Sequence, residues 1–434
     1  MQYFEINGGK KLHGSISVNG SKNAAVALLA ASVINQDVTV LKNVPQIEEV
    51  NRWIEVLTSI GMHVEKNGAT LTLTPAKKLT PETINVQAAE RTRSAIMLIS
   101  ALAGQHKKYF IPQAGGCKLG ARTIRPHLFA LEKYGIEIVS QKCGFDMSID
   151  VLHPAESNVL YESGDTVTET AIMAAAQIPG KTTIKMATSN YMVQDLCFFL
   201  EELGVKIVGI GTSTLEIYGK KNLKKKVEYT ISEDPIEAMF FLSLAITTKS
   251  ELVVKRCPIE FLELELLKLE KMGQQYEILK KYRSYNKRTQ LVDIKMIPSK
   301  LTALQDKIHA LPFPGLNMDN LPFFVPIAMM AKGKTLIHDW VYENRAVYFT
   351  ELNRLGGHAT LIDSHRVDIT GPTKFHGADL TSPPALRPAA IMLVAMLGAK
   401  GKSILRDVYS ISRGYENLQE RLRSIGADIT LVEE

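Results

Sequence analysis

The sequence is poor in cysteine and tryptophan, and it has no long apolar run. Only four cysteines and two tryptophans occur in 434 residues. Cys117, Cys143, Cys197 and Cys257 lie far apart. No pair shows CxxC spacing, so neither a zinc site nor a disulfide framework is indicated, and no metal is expected. No apolar stretch is long enough to span a bilayer, which argues against a membrane partner. The opening residues, MQYFEINGGKKLHGSISV, lack the apolar core of a signal peptide, so a cytoplasmic location is the expectation. Charge of one sign is also scarce: the formal net charge is +6. The densest basic runs, GKKNLKKKVEY and EILKKYRSYNKR, do not interleave aromatics in a nucleic-acid motif and read as solvated loops. No nucleic-acid partner is expected. A mild positive balance fits an anionic small-molecule substrate.

What is present is the composition of a globular protein, 45% hydrophobic and 22% charged, in a chain long enough for two domains. One pattern recurs along it: leucine, two mostly polar residues, an apolar residue, then glycine. The six copies are LTSIG from Leu57, LEKYG from Leu131, LEELG from Leu200, LEKMG from Leu269, LNRLG from Leu352 and LRSIG from Leu422. Their near-even spacing marks a repeated supersecondary unit. Within a copy the two apolar residues share one helix face, and the glycine ends the helix in a left-handed conformation. Alternating residues after the glycine start a strand, and segments such as TTIKMA, ELVVKRC and SILRDVY supply a strand before the helix. Additional stretches such as AIMAAA and AAIMLVAML are apolar all round and predict buried helices. The fold class is α/β, with two domains of three strand-helix-strand repeats each. Residues 21–230 are expected to form the first domain. Residues 1–20, whose opening strand is expected to pair with the last repeats, join 231–434 in the second. The fourth repeat is irregular, because QQYEILKKYRSYNKRTQ breaks the pattern after Gly273.

Candidate chemistry clusters at a few places. In AGGCKLGAR the glycines allow a tight backbone, and Lys118 and Arg122 put cations beside Cys117. Such a thiol ionises readily and is reactive, whereas most free cysteines are simply buried. In NGSKNAAVALLAASVI, Ser21 is a good N-cap, so Lys22 and Asn23 fall in the first turn of an apolar helix, a place that favours an anion. Arg93, Arg345, Arg387 and Arg413 occupy comparable places near helix starts and together suggest a cluster for phosphate and carboxylate. Asp319 precedes an apolar run and reads either as a helix cap or as a general base.

GSKNAA, GGCKLGAR, VYENR, SRGYENL and the six-fold LxxLG pattern together resemble the UDP-N-acetylglucosamine enolpyruvyl transferases (1-carboxyvinyltransferases) of the EPSP synthase superfamily, over almost the whole chain. The resemblance implies an inside-out α/β barrel, with helices in each domain core and sheets outside, and two domains that close over the substrates. It implies transfer of the enolpyruvyl group of phosphoenolpyruvate to the 3-hydroxyl of UDP-N-acetylglucosamine. Phosphate is released, in the first committed step of peptidoglycan synthesis, without metal or cofactor. On the matching positions, Lys22, Arg122 and Arg413 would bind the phosphate and carboxylate of phosphoenolpyruvate. Cys117 would be the loop acid and Asp319 the base, once a two-residue insertion around GLNM is allowed. Asn23, Arg93, Val341, Arg345 and Arg387 would bind substrate.

The departures fall at the nucleotide end. The family's KVSVG diphosphate loop reads SGDTV here, Ser163 to Val167, losing a lysine and gaining Asp165. Arg125 stands in place of an aspartate in the uridine loop and offers itself as a partner for Asp165. Ala385 and Pro235 replace an aspartate and an arginine. The alternatives this leaves are another nucleotide or phosphosugar acceptor, or a non-catalytic metabolite-binding paralogue.

Overall fold

A computed structural model describes residues 2–113, 115 and 123–433. Cys117 and Arg122, with Lys118, lie outside the described residues. The chain divides into two compact units, one formed by the residues up to Asn19 together with those from Glu233 onward, the other by the described residues from Gly20 to Ser232.

The recurring glycine organises both units. Gly61, Gly135, Gly204, Gly273, Gly356 and Gly426 all have φ between +79° and +103°. That is the left-handed region where a side chain is strained and where helices end. The six repeat leucines are fully buried. Five of the preceding helices are α-helical: Glu48–Ser59, Arg125–Glu132, Tyr191–Glu202, Glu263–Lys271 and Leu418–Ser424. The fifth copy is a 3-10 helix, Ala346–Leu355.

Among the described residues each unit carries three sheets. In the first-described unit, Gln2–Gly8 pairs antiparallel with both Gly401–Arg406 and Ile429–Glu433. Ser15–Ser17 adds in parallel to Leu252–Pro258. The stretch after Gly273 does not break the pattern. It forms the longest hairpin, Gln275–Arg283 against Gln290–Ile297. Its alternation is hard to see in sequence because Gln275–Arg283 is an edge strand with only Tyr276, Ile278 and Tyr282 half buried and the rest exposed. In the other unit, Val227–Thr230, at the end of the basic linker, runs parallel to Thr39–Lys42 and completes a four-stranded sheet.

The core of each unit is helical, with the sheets outside it. Pro235–Thr247 is buried at every position, and Leu386–Gly398 nearly so. In the Gly20–Ser232 unit, Lys22–Ser32 and Asp165–Ala176 play the same part. A helix apolar on all faces cannot lie at a surface, so these pack inside and the strands cover them. Removing a large side chain there, such as Phe240, would cost about 3–5 kcal/mol. Among the described residues no helix is long and apolar enough to cross a membrane.

Candidate active site

In the Gly20–Ser232 unit, three helix starts are joined by side chains. Ser21 caps Lys22–Ser32, its hydroxyl accepting from the Ala24 amide at 3.2 Å. Lys22 Nζ donates to Asn23 Oδ1 at 3.2 Å, and Asn23 Nδ2 donates to the Tyr191 hydroxyl at 3.1 Å. Tyr191 opens helix Tyr191–Glu202, whose cap is Asn190. Asn190 Nδ2 in turn donates to Asp165 Oδ2 at 3.1 Å, and the Thr188 hydroxyl to Asp165 Oδ1 at 3.0 Å. Lys22 and Asn23 are thus held half buried at one end of a polar chain, and Asp165 stands at the other. Arg125 is exposed and makes no ion pair among the described residues, so it does not serve as the partner the sequence offered for Asp165.

Arg93 opens a short 3-10 helix, Arg93–Met97, rather than the long α-helix expected from its apolar continuation. It lies near His127, which burial first and the Arg93 charge second push down to about 4. His127 is therefore a neutral ring, with Nδ1 at 3.1 Å from the Thr170 hydroxyl. Glu169, one turn along the helix from Asp165, is pushed well up by burial first and by the Asp165 charge second. Burial thus disfavours the charged form of both groups.

In the other unit the centre is Asp319, 20% exposed. It is not a helix cap: Asn320 precedes the short helix Leu321–Phe323. Arg387 Nη2 donates to Asp319 Oδ2 at 3.3 Å, and Arg345 Nη1 lies 3.7 Å from Oδ1. Arg387, in the first turn of Leu386–Gly398, also donates to the Tyr415 hydroxyl at 3.1 Å. Burial pushes the Tyr415 phenol up, and Arg387 partly offsets this, so the hydroxyl remains protonated. Arg413 ends the short helix Tyr409–Ser412, two residues before Tyr415, and is half buried.

Arg345 differs from its expected role. It is 1% exposed and forms a two-point ion pair with Asp339, itself fully buried, through Nε and Nη2. It also donates to the Met318 carbonyl at 2.7 Å and lies over the Tyr342 ring at 4.0 Å. A guanidinium engaged in this way orients the Asp319 segment. Val341 is half buried. Sequence reasoning missed Asp339, Tyr191 and Asn190. A single acidic residue two positions before Val341 and an Asn-Tyr pair at a helix start carry no signal strong enough to single them out.

A carboxylate fixed by arginines and still partly open is suited to accept a proton from a hydroxyl. The half-buried Lys22 at a helix N-terminus is suited to an anion. Among the described residues no group of three His, Cys, Asp or Glu side chains is placed to hold a metal ion.

Residues 6–422 match the family described as EPSP synthase (3-phosphoshikimate 1-carboxyvinyltransferase). The chain belongs to the EPSP synthase family. A relative in Caldanaerobacter subterraneus subsp. tengcongensis, named UDP-N-acetylglucosamine 1-carboxyvinyltransferase 2, is 34% identical, with all of both chains covered. A relative in Treponema denticola, named UDP-N-acetylglucosamine 1-carboxyvinyltransferase, is 33% identical, again with both chains fully covered. Among solved structures, the enolpyruvyl transferase NikO from Streptomyces tendae matches 99% of each chain with a TM-score of 0.85 at 23% identity. EPSP synthase from Acinetobacter baumannii matches all of both chains with a TM-score of 0.76 at 18% identity. At these identities the two likenesses show a shared fold.

Proposed function

We propose that this chain is a transferase that moves the enolpyruvyl group of phosphoenolpyruvate onto the 3-hydroxyl of UDP-N-acetylglucosamine and releases phosphate, in peptidoglycan synthesis. The single observation that carries this reading is full-length similarity, at 34% identity, to a relative of that name. The arginine-held Asp319 supports it chemically.

The roles balance as follows. Asp319 takes the proton of the acceptor hydroxyl as its oxygen forms a bond to C2 of phosphoenolpyruvate. A general acid, for which Cys117 is our candidate, delivers a proton to C3. In the second step the conjugate base of that acid takes a proton back from C3, the C2–O bond to phosphate breaks, the enol ether re-forms, and the departing phosphate takes up the proton held by Asp319. Lys22, Arg122 and Arg413 bind the phosphate and carboxylate of phosphoenolpyruvate. Asn23, Arg93, Val341 and Arg387 contact substrate, Arg387 while also holding Asp319. Arg345 acts through Asp319. We place the enzyme in the cytoplasm, where phosphoenolpyruvate and nucleotide sugars are made.

The test is phosphate release from phosphoenolpyruvate with UDP-N-acetylglucosamine, UMP or shikimate 3-phosphate as acceptor. Turnover with UDP-N-acetylglucosamine, and its loss in Cys117→Ser, is the expected result. Release with UMP or shikimate 3-phosphate instead would overturn the acceptor, and no release with any of the three would overturn the transferase itself.

A further inference from the structure

Asp319 is held at its backbone as well as at its carboxylate. Its amide donates to Asn317 Oδ1 at 2.8 Å. Asn317 is buried, and its own amide donates to Glu265 Oε1 at 3.3 Å. The same Glu265 oxygen accepts from Asn320 Nδ2 at 2.7 Å. One carboxylate oxygen therefore ties down the residues on both sides of Met318 and Asp319. Glu265 is 2% exposed and sits in the first turn of helix Glu263–Lys271.

Burying a carboxylate is costly unless it is bonded, and a helix that needed only to pack would place an apolar residue there. The tied segment is irregular and has conformations to lose, so a clamp on both sides of Asp319 fixes the residue it carries. Burial pushes the Glu265 carboxyl up, and the bonds from Asn320 and Asn317 partly reverse this.

We propose that Glu265 is a positioning residue for the reaction: through Asn317 and Asn320 it sets where the Asp319 carboxylate stands. The inference rests on the reading of Asp319 as the base. A misplacement of about 1 Å in a reacting group lowers rate rather than binding, by up to about a hundredfold. A merely structural residue would instead lower the amount of folded protein.

The test compares Glu265→Leu, Glu265→Gln, Asn317→Ala and Asp319→Asn, with kcat taken per folded molecule. Glu265→Leu is expected to lower kcat about tenfold or more while KM for both substrates stays within about twofold. Glu265→Gln keeps an oxygen for both bonds and should recover most of the rate. In an Asp319→Asn background, Glu265→Leu should cause no further loss, because the group it positions is gone. An unchanged kcat in Glu265→Leu, or a loss that multiplies with that of Asp319→Asn, would overturn the proposal. If Glu265→Leu does not fold, Asn317→Ala is read by the same criteria, because it removes the acceptor of the Asp319 amide and leaves Glu265 in place. Full kcat in Asp319→Asn alone would instead overturn the base assignment. Loss there with no effect of Glu265→Leu or Asn317→Ala would overturn only the positioning role.

Discussion

Asp165 and Asp319 are both half-buried aspartates at or near the start of a buried helical segment, yet they are held in different ways. Asp165 is the first residue of its helix and is bonded by a hydroxyl and an amide, from Thr188 and Asn190. Its carboxylate sits at the positive end of the helix, where it is favourable by about 0.3–1 kcal/mol. Asp319 lies outside the helix it precedes and is held by two arginines, one of them locked by a buried aspartate of its own. The first arrangement completes a helix. The second orients a carboxylate that stands outside any helix. Identical residue types in similar sequence settings therefore differ in what they are built to do, and the difference lies in partners that are distant in sequence.

The strongest way to break this comparison is to neutralise each aspartate in turn. Asp319→Asn should lower kcat by about 10²–10⁴-fold, the usual size of a general-base contribution. Asp165→Asn should leave kcat within about threefold, since a cap-like carboxylate touches no reacting atom. Steady-state phosphate release measures both. Equal losses in the two variants would mean that the contrast in partners has no catalytic meaning.

A second test sharpens the picture of the unit that carries Asp165. His127 is pushed from 6.5 to about 4, chiefly by burial and then by Arg93. In the unfolded chain the imidazole takes a proton near 6.5, while in the fold it stays neutral until about 4. The unfolded state thus binds more protons between these values, and stability falls as pH drops through that window. At one pKa unit per 1.36 kcal/mol the loss reaches roughly 3 kcal/mol by pH 4. Denaturant unfolding of wild type and His127→Gln at pH 7 and pH 4.5 should show the variant losing less. Equal losses would mean that His127 is already charged in the fold. Glu169 works in the opposite sense. Its raised carboxyl keeps its proton while the unfolded chain releases one above the ordinary value of 4.5, so its contribution falls as pH rises.

The repeat was legible because it is local. A leucine, a second apolar residue and a glycine specify a helix face and its end, and all six glycines adopt the left-handed conformation this requires. The apolar helices were legible because a segment with no polar face has only one place to go. The hairpin after Gly273 was misread because its outer strand is nearly all polar and its bulge between Ile278 and Lys280 shifts the alternation. The site was legible only in part. Asp319 and Arg387 are brought together across 68 residues, and the resemblance to a family named both. Their supports, Asp339, Glu265 and Tyr415, are defined by burial and hydrogen bonds, which sequence spacing does not encode. The sequence suggests Arg345 as a substrate-binding residue, and its part in holding Asp319 becomes visible only when Asp339 is seen buried against it.

The smallest expected effect tests whether Asp165 does more than complete its helix. If the family pattern holds for this chain, the acceptor's diphosphate approaches Ser163 to Val167, where a lysine and free helix-end amides would normally receive it. Here the positive end of Asp165–Ala176 already carries a carboxylate, and Gly164 caps it without a side chain. A second anion must then compete with Asp165 for the same field. One charge-assisted contact is worth about 1.5–3 kcal/mol, or about ten- to a hundredfold in affinity. Ser163→Lys combined with Asp165→Ser should restore such a contact and lower KM for UDP-N-acetylglucosamine about tenfold. The serine retains a hydroxyl for Thr188 or Asn190, so the helix start should survive. KM for phosphoenolpyruvate should not move, because the groups proposed to bind it are untouched. A fall in both KM values would point to a general change in charge, and no fall in either would mean that the diphosphate is received elsewhere. Only a selective fall makes Asp165 a determinant of acceptor affinity, and with it the contrast to Asp319 becomes one between a residue that tunes binding and a residue that carries the proton.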